Sequence, residues 1–303
     1  MRFGIVITDQ GWVDAAALRA IDGTGFATLN VVDHPSFPIA DAWTWLAWAA
    51  GKTERIRLGT HVTGAPFHHP QNLARQVATV DVLSGGRAVL GIGTGYEHAD
   101  FAPYGYAMPR FAARARLLEE SVTIMKSLWT AESTTFAGEF FQFEGGATFA
   151  PKPVQPGGPP VWVGLNTAGL ALKAAVRCAD GINTWQLGPE QLGKLIPVAI
   201  DLCTAAGRDA AQLAITSDVL FAKGATADQA GRLAGRIAEM ARGWGRSERV
   251  TQWDAGGVLY GDADEMVASV ARFAVLGVSE LSLAFTNLDD IEWFSAEVIP
   301  RFR

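Results

Sequence analysis

Short apolar runs alternate with amphipathic stretches from one end of this chain to the other, and that alternation limits its fold more than any other feature. Runs at 3–7, 27–32, 56–62, 87–92, 161–164, 181–185, 213–221 and 280–285 have the length and apolar character of strands. Stretches at 14–23, 41–51, from 70, 110–129, 168–178, 189–206, 226–242, 263–276 and 289–299 repeat apolar residues at helical spacing. Asp41 is a candidate N-cap, and Pro70 opens a helix in which Leu73, Val77, Val80 and Leu83 fall on one face. Eight strands, each followed by a helix, predict a (β/α)8 TIM barrel, with an open doubly wound sheet as the alternative. Near-continuous apolar strands, buried on both faces, suit either. Insertions follow strands 4 and 7. The first is a loop rich in Gly, Pro and aromatics, with a hairpin-like segment at 136–149 beyond the next helix. The second, at 243–261, contains Trp244 and Trp253. The proline-rich segments at 151–153 and 156–160 form a stiff connection and not a linker, because the alternation resumes at once. A single domain over 1–303 is therefore expected, since barrels of this kind run to about 250 residues or more.

Composition narrows the function. With 49% hydrophobic and 18% charged residues, the chain can bury a large core. The net charge is −6 with no basic cluster. Arg232, Arg236, Arg242, Arg246 and Arg249 are interrupted by Glu239 and Glu248 and recur at helical spacing, which reads as a solvated helix face and not a nucleic-acid surface. Cys178 and Cys203 form no CxxC, which suits a reducing compartment and suggests neither a disulfide nor a zinc site. The N-terminal apolar run is too short for a signal segment, and no run approaches the roughly 18 residues a membrane span needs. The expectation is a cytoplasmic protein with neither membrane nor nucleic acid as partner.

In a barrel, the residues just after each strand form the active face. Two motifs there mislead. Gly51-Lys52-Thr53 resembles the end of a phosphate-binding loop, but Leu46 stands where its first glycine belongs. Gly91-x-Gly93-x-Gly95 follows a strand, yet Tyr96 occupies the third position of a dinucleotide fingerprint and no helix opens there. His34, His61 and His98 follow strands two, three and four and, with Asp33, could form the metal site of a barrel hydrolase. No His-x-His or His-Glu-x-x-His pairs ligands on one element, so no metal is assigned.

Four motifs recur in a distinctive order: Leu58-Gly59-Thr60-His61-Val62-Thr63; Leu83-Ser84-Gly85-Gly86-Arg87 with Leu90-Gly91-Ile92-Gly93-Thr94-Gly95-Tyr96; Pro151-Lys152-Pro153-Val154-Gln155-Pro156; and Pro160-Val161-Trp162-Val163-Gly164 with Ala179-Asp180-Gly181. Together they resemble the bacterial luciferase-like family of flavin- or deazaflavin-dependent oxidoreductases. The likeness covers most of the chain and is clearest over 27–185. Asp33-His34 after strand two is more similar to the branch that uses the deazaflavin coenzyme F420 than to the FMN branch.

The resemblance implies a barrel enzyme that moves a hydride between coenzyme F420 and a small organic substrate, acting as a homodimer. The alternative is an FMN-dependent monooxygenase that takes reduced flavin from a partner reductase and reacts it with O2. A non-catalytic flavin-binding protein is a third reading. A tricyclic ring needs a flat apolar slot, a few orienting hydrogen bonds and an anion site for its phosphate. The resemblance places a non-proline cis peptide at Thr60-His61-Val62, backing the ring, and sets Asp33, Gly93, Gly95 and Thr184 around the cofactor. Gly164, Leu165 and Asn166 would take the phosphate on backbone N–H groups at a helix start, although a plain turn with Asn166 or Thr167 as N-cap gives the same sequence. His34 is the first candidate for proton transfer, with Asp33 orienting it or bonding the ring edge. Family members place an acid directly after Gly-Thr-Gly; here Tyr96 stands there and Glu97 follows. Tyr96 and Glu97 are thus both candidates, with an ion pair from Glu97 to Arg110 or Arg114 as the other possibility. Phe37 and Trp185 are expected to wall the substrate, and the aromatic loop 96–108 suggests an apolar or neutral one.

Overall fold

The computed structural model describes residues 1–243, 253 and 255–302. Trp244, Arg246, Glu248 and Arg249, singled out above, lie outside the described residues.

Eight parallel strands close on themselves. They are β1 (Arg2–Ile7), β2 (Thr28–Val31), β3 (Arg57–Thr60), β5 (Ala88–Gly93), β8 (Val161–Gly164), β9 (Gly181–Trp185), β10 (Ala214–Lys223) and β12 (Glu280–Ala284), and β12 pairs with both β10 and β1. Closure excludes the open sheet. The short β4 (Thr63–Gly64) pairs with β5, β11 (Val258–Gly261) pairs with the overhanging end of β10, and β6 (Thr134–Ala137) and β7 (Gln142–Ala147) form the expected hairpin. The helices are α1 (Ala15–Asp22), α2 (Ala42–Ala50), α3 (Pro70–Ser84), α4 (Phe111–Thr130), α5 (Leu170–Cys178), α6 (Pro189–Ala205), α7 (Ala227–Gly243), α8 (Ala263–Val275) and α9 (Leu288–Glu297). Asp14 and Asp41 cap α1 and α2 as their side chains allow, and Pro70 opens α3. Among the described residues, no helix is long and apolar enough to cross a membrane.

The strands differ from the expectation in one instructive way. Their outward faces are largely apolar, whereas the inward faces are mostly small or polar, with Val6, Val89 and Trp162 as the apolar members. Ile5, Leu29, Leu58, Leu90, Val163, Ile182 and Leu283 join the helices in one continuous core. Most of the alternate residues, which turn inward, are small or polar: Gly4, Thr28, Asn30, Gly59, Gly91, Asn183, Thr216, Asp218, Glu280 and Ser282. A Cβ on Gly4 would stand 2.4 Å from both Ser282 Oγ and Thr28 Oγ1, so the lumen is already full. Thr28 donates to Glu280 at 2.6 Å, and Arg2 Nε reaches the same carboxylate at 3.1 Å. Leu83 also departs from its assigned face: it is 56% exposed, and α3 buries Leu73, Ala74, Val77, Ala78 and Val80.

Several of the recurring motifs staple the barrel together. Arg87 donates to the carbonyls of Ala50, Thr53 and Ile56 and so closes the C-terminal end of α2. Asp81 accepts from the Val154 and Gln155 amides, Gln155 Nε2 returns to Asp81 and to the Ala88 carbonyl, and Lys152 caps Leu128. Asp180 accepts from the Val161 amide at 2.8 Å.

Candidate active site

Glycine shapes the centre of the rim. The peptide between His61 and Val62 is cis, as the resemblance implies, and Val62 lies against the ends of β5 and β8. A Cβ on Gly93 or on Gly164 would lie 2.8 Å from Val62 Cγ2, and one on Gly91 would lie 1.9 Å from the Thr60 carbonyl oxygen. Any side chain at these three positions would push into Val62 or the backbone. The result is a flat apolar seat with Val62 partly exposed upon it. Gly95, at φ 70°, turns the chain away toward Tyr96. The Gly-x-Gly-x-Gly run is therefore a barrel-rim device and not a phosphate loop.

His34 stands beside this seat. Its Nδ1 meets Asp100 Oδ2 at 2.7 Å, and its ring stacks on Phe37 with centroids 4.4 Å apart. Tyr96 approaches edge-on, its hydroxyl 3.5 Å from His34 Nε2. Asp100 is 1% exposed and its second oxygen accepts from both the Ser36 amide and hydroxyl. Burial pushes its carboxyl up, but the donors from His34 and Ser36 outweigh this and hold it below the usual range. The aspartate that orients His34 is thus Asp100 and not the adjacent Asp33. Asp33 faces the other way, accepting from Thr63 Oγ1 at 2.7 Å with His68 Nε2 at 3.6 Å.

A second pair lies deeper. His61 Nδ1 meets Asp218 Oδ1 at 2.9 Å, and Asn183 donates to the same oxygen at 3.1 Å. The His61 side chain is fully buried and its Nε2 has no hydrogen-bond partner among the described residues. The histidines therefore divide among different carboxylates, and among the described residues no group of three or more candidate ligands gathers for a metal.

Several assignments need correction. Thr184 turns away from the lumen and donates to Ser217 at 2.9 Å, because strand alternation puts it opposite Asn183. Thr60 is fully buried and props β3 against the Gly91 carbonyl. Asn166 is no helix cap. It brackets the Trp185 backbone, donating to the carbonyl at 2.7 Å and accepting from the amide at 2.9 Å. Gly169 caps α5 with no side-chain acceptor, so the helix begins later than its sequence suggests. Trp185 rests edge-on against Trp253, with centroids 4.8 Å apart. Glu97 forms no ion pair with Arg110 or Arg114. One of its oxygens accepts from the Ala99 amide, the other is buried without a partner, and burial pushes its carboxyl up.

The seat, the orphaned His61 nitrogen beneath it and the bare N-terminus of α5 beyond Gly164 suit a planar ring bearing a phosphate. The family model for luciferase-like monooxygenases matches residues 10–279. The chain belongs to that family. Within it, an uncharacterized protein of Mycobacterium tuberculosis is 34% identical to this luciferase-like chain over 246 residues, 72% of this chain and 84% of that one. The F420-dependent glucose-6-phosphate dehydrogenase of Kineococcus radiotolerans is 30% identical over 285 residues, 86% of this chain and 82% of its own length. In fold, this family member is similar to the F420-dependent tetrahydromethanopterin reductase of Methanopyrus kandleri, with a TM-score of 0.83 at 20% identity over 100% of this chain and 99% of the other.

Sequence reasoning missed Asp100 and Asp218. They lie 66 and 157 residues from the histidines they hold, and no local pattern connects them. Gln186 also escaped notice. It is fully buried with φ 61°, turning the chain directly after Trp185.

Proposed function

We propose that the protein is an oxidoreductase that transfers a hydride between coenzyme F420 and a small organic substrate. The observation that carries this reading is His34: oriented through Nδ1 by a buried aspartate, clamped between two aromatic rings, and presenting Nε2 at the edge of a flat apolar seat. The deazaflavin, when bound, supplies or accepts the hydride. Val62, Gly93 and Gly164 would carry its ring, and the amides of the loop after Leu165 and of the first turn of α5 would take its phosphate, the Leu165 amide itself being taken by the Asn183 carbonyl at 2.9 Å. His34 Nε2 gives a proton to the substrate oxygen, or removes one, as the hydride moves. Asp100 keeps the imidazole in the tautomer that leaves Nε2 for this work, and Tyr96 steadies that nitrogen from the side. Phe37 and Trp185 wall the space above.

Two further observations favour the deazaflavin: Asp33-His34 after β2, and the F420-dependent activity in the name of a relative that matches most of the chain. Fluorescence titration with oxidised F420 tests the reading. Binding tighter than about 100 μM, equivalent to about 5–6 kcal/mol, is expected. Weaker binding, together with oxygen consumption that depends on reduced FMN, would transfer the protein to the monooxygenase reading with its partner reductase. The same proposal takes 1–303 as one domain that works as a cytoplasmic homodimer, with a light-scattering mass near twice the 32.3 kDa chain.

A further inference from the structure

A cleft outside the site described above has a lining of the opposite charge to the chain as a whole. At the seventh strand of the ring, Phe221, Ala222 and Lys223 of β10 run past β12 and pair with β11. The chain then turns at Gly224, with φ 69°, toward α7. Between this overhang and α7 lies a cleft of about 510 Å³, the size of a small-molecule site. Nothing stands within 4 Å of where a Cβ on Gly224 would project, so the cleft is open at the turn.

The chain carries 31 acidic and 25 basic residues. Among the described residues, however, the charged groups lining the cleft are Lys223, Arg232 and Arg236, with no carboxylate. Arg232 and Arg236 stand about one turn apart on the same face of α7. Lys223 lines the cleft from the strand. Its ammonium sits 4.6 Å from the Trp293 ring and 3.9 Å from Asp290, too far for a hydrogen bond, so its donors are left for another acceptor. Arg232 pairs with Asp228 through Nη1, which leaves the rest of its fork. Arg236 is exposed and makes no hydrogen bond or ion pair with any described residue. Gln229 gives its carbonyl oxygen to the Thr226 amide, which leaves its amino group as a further donor. Ala222 and Leu233 add an apolar side.

A concavity lined by one sign of charge concentrates ions of the other sign. Guanidinium groups take two oxygens of a phosphate or carboxylate side by side, and an ammonium adds a point charge. The geometry points to an oxyanion site in which Arg236, Arg232 and Lys223 hold a phosphate group, while Ala222 and Leu233 receive an apolar part of the same molecule. The arginines that read as a solvated face in the sequence form one wall of it. The cleft shares no residue with the seat or with His34. The proposed function therefore bears only on the source of the anion: a separate phosphorylated small molecule, or the acidic tail of a cofactor whose ring lies in the mouth.

Inorganic pyrophosphate is the probe, titrated calorimetrically into the full chain at constant ionic strength. Saturable binding is expected. Arg236→Ala, at an exposed position without partners, should weaken it about threefold, the scale of one exposed charged contact. Combined with Lys223→Gln, the loss should reach about tenfold. Lys194→Gln removes an equal charge from α6, where Lys194 pairs with Glu190, and should change nothing. No saturable binding overturns the site. So does equal weakening in Lys194→Gln, which would mark attraction to the whole surface, or undiminished binding in the double variant, which would put pyrophosphate elsewhere. Titration with F420 and with its tail-less deazaflavin nucleoside identifies the source. A loss in the double variant for F420 alone assigns the cofactor tail, and no loss for either assigns a separate phosphorylated molecule. Equal losses for both would mean that the cleft is not separate from the mouth, and overturn the site. The pyrophosphate arm contains no deazaflavin, so failure of F420 to bind leaves its outcome intact.

Discussion

Two histidines follow neighbouring strands of the same rim, each with an aspartate on Nδ1, and they arrive at opposite situations. His34, after β2, keeps 12% of its side chain exposed, and its far nitrogen faces a tyrosine hydroxyl at 3.5 Å. The side chain of His61, after β3, is fully enclosed, and its far nitrogen has no hydrogen-bond partner among the described residues. Their aspartates differ as well. Asp100 arrives on a 3-10 turn of the long loop after β5, whereas Asp218 projects from β10 into the lumen and is shared with Asn183. A loop-borne partner can tune a group that works at the surface. A strand-borne partner in a packed lumen fixes the barrel itself. Under the proposed function, His34 serves the chemistry, while His61 is held as part of the packed barrel beneath it.

The largest expected effect separates them directly. His34→Ala should lower kcat by about 10²–10⁴-fold, the usual contribution of a positioned acid–base group, with little change in cofactor affinity or unfolding midpoint. His61→Ala should do the reverse. If both lose turnover equally, the division of labour fails. Next in size, Asp218→Ala should cost about 1.5–3 kcal/mol in urea unfolding, because it strips a buried histidine and a buried amide of their common acceptor. Asp100→Asn keeps a hydrogen-bonding group but removes the charge. It should lower kcat about tenfold, worth about 1.4 kcal/mol, and alter the pH profile of kcat while moving stability less than Asp218→Ala does.

The smallest effect tests the loop by pH. Asp100 is held below its ordinary range, so the stability it contributes is present above that range and is lost as pH falls through its folded value. Glu97, three residues earlier, is pushed up by burial, so the folded state binds its proton more tightly and stability declines as pH rises through the window above its ordinary value. Glu97→Gln should therefore stabilise the protein at pH 7–8 relative to pH 4 in paired urea titrations. No difference between the two pH values would mean that Glu97 is solvated.

How far the sequence reached follows the same line. The eight strands and their helices were legible because each was announced by a local period, and the rim positions followed from the barrel rule. His34, Phe37 and Tyr96 form one cluster on the rim, and Val62, Gly93 and Gly164 form another. The polar lumen was not legible. In strands this short, inward glycines and threonines do not break an apolar run enough to reveal two faces, so Thr184 was assigned to the wrong one. The partners of both histidines depend on closure of the whole ring, which no window of sequence contains. The motifs at 83–87 and 151–155 were recognisable, but their work is stapling and not catalysis.

The seat of Val62 on Gly93 and Gly164 is made by withholding side chains, and substitution there can only spoil it. Variation among descendants of such a scaffold has nowhere to act at its centre. Evolutionary novelty must accumulate at the periphery, in segments like 96–110, where residues can be exchanged without lifting the floor beneath the reaction.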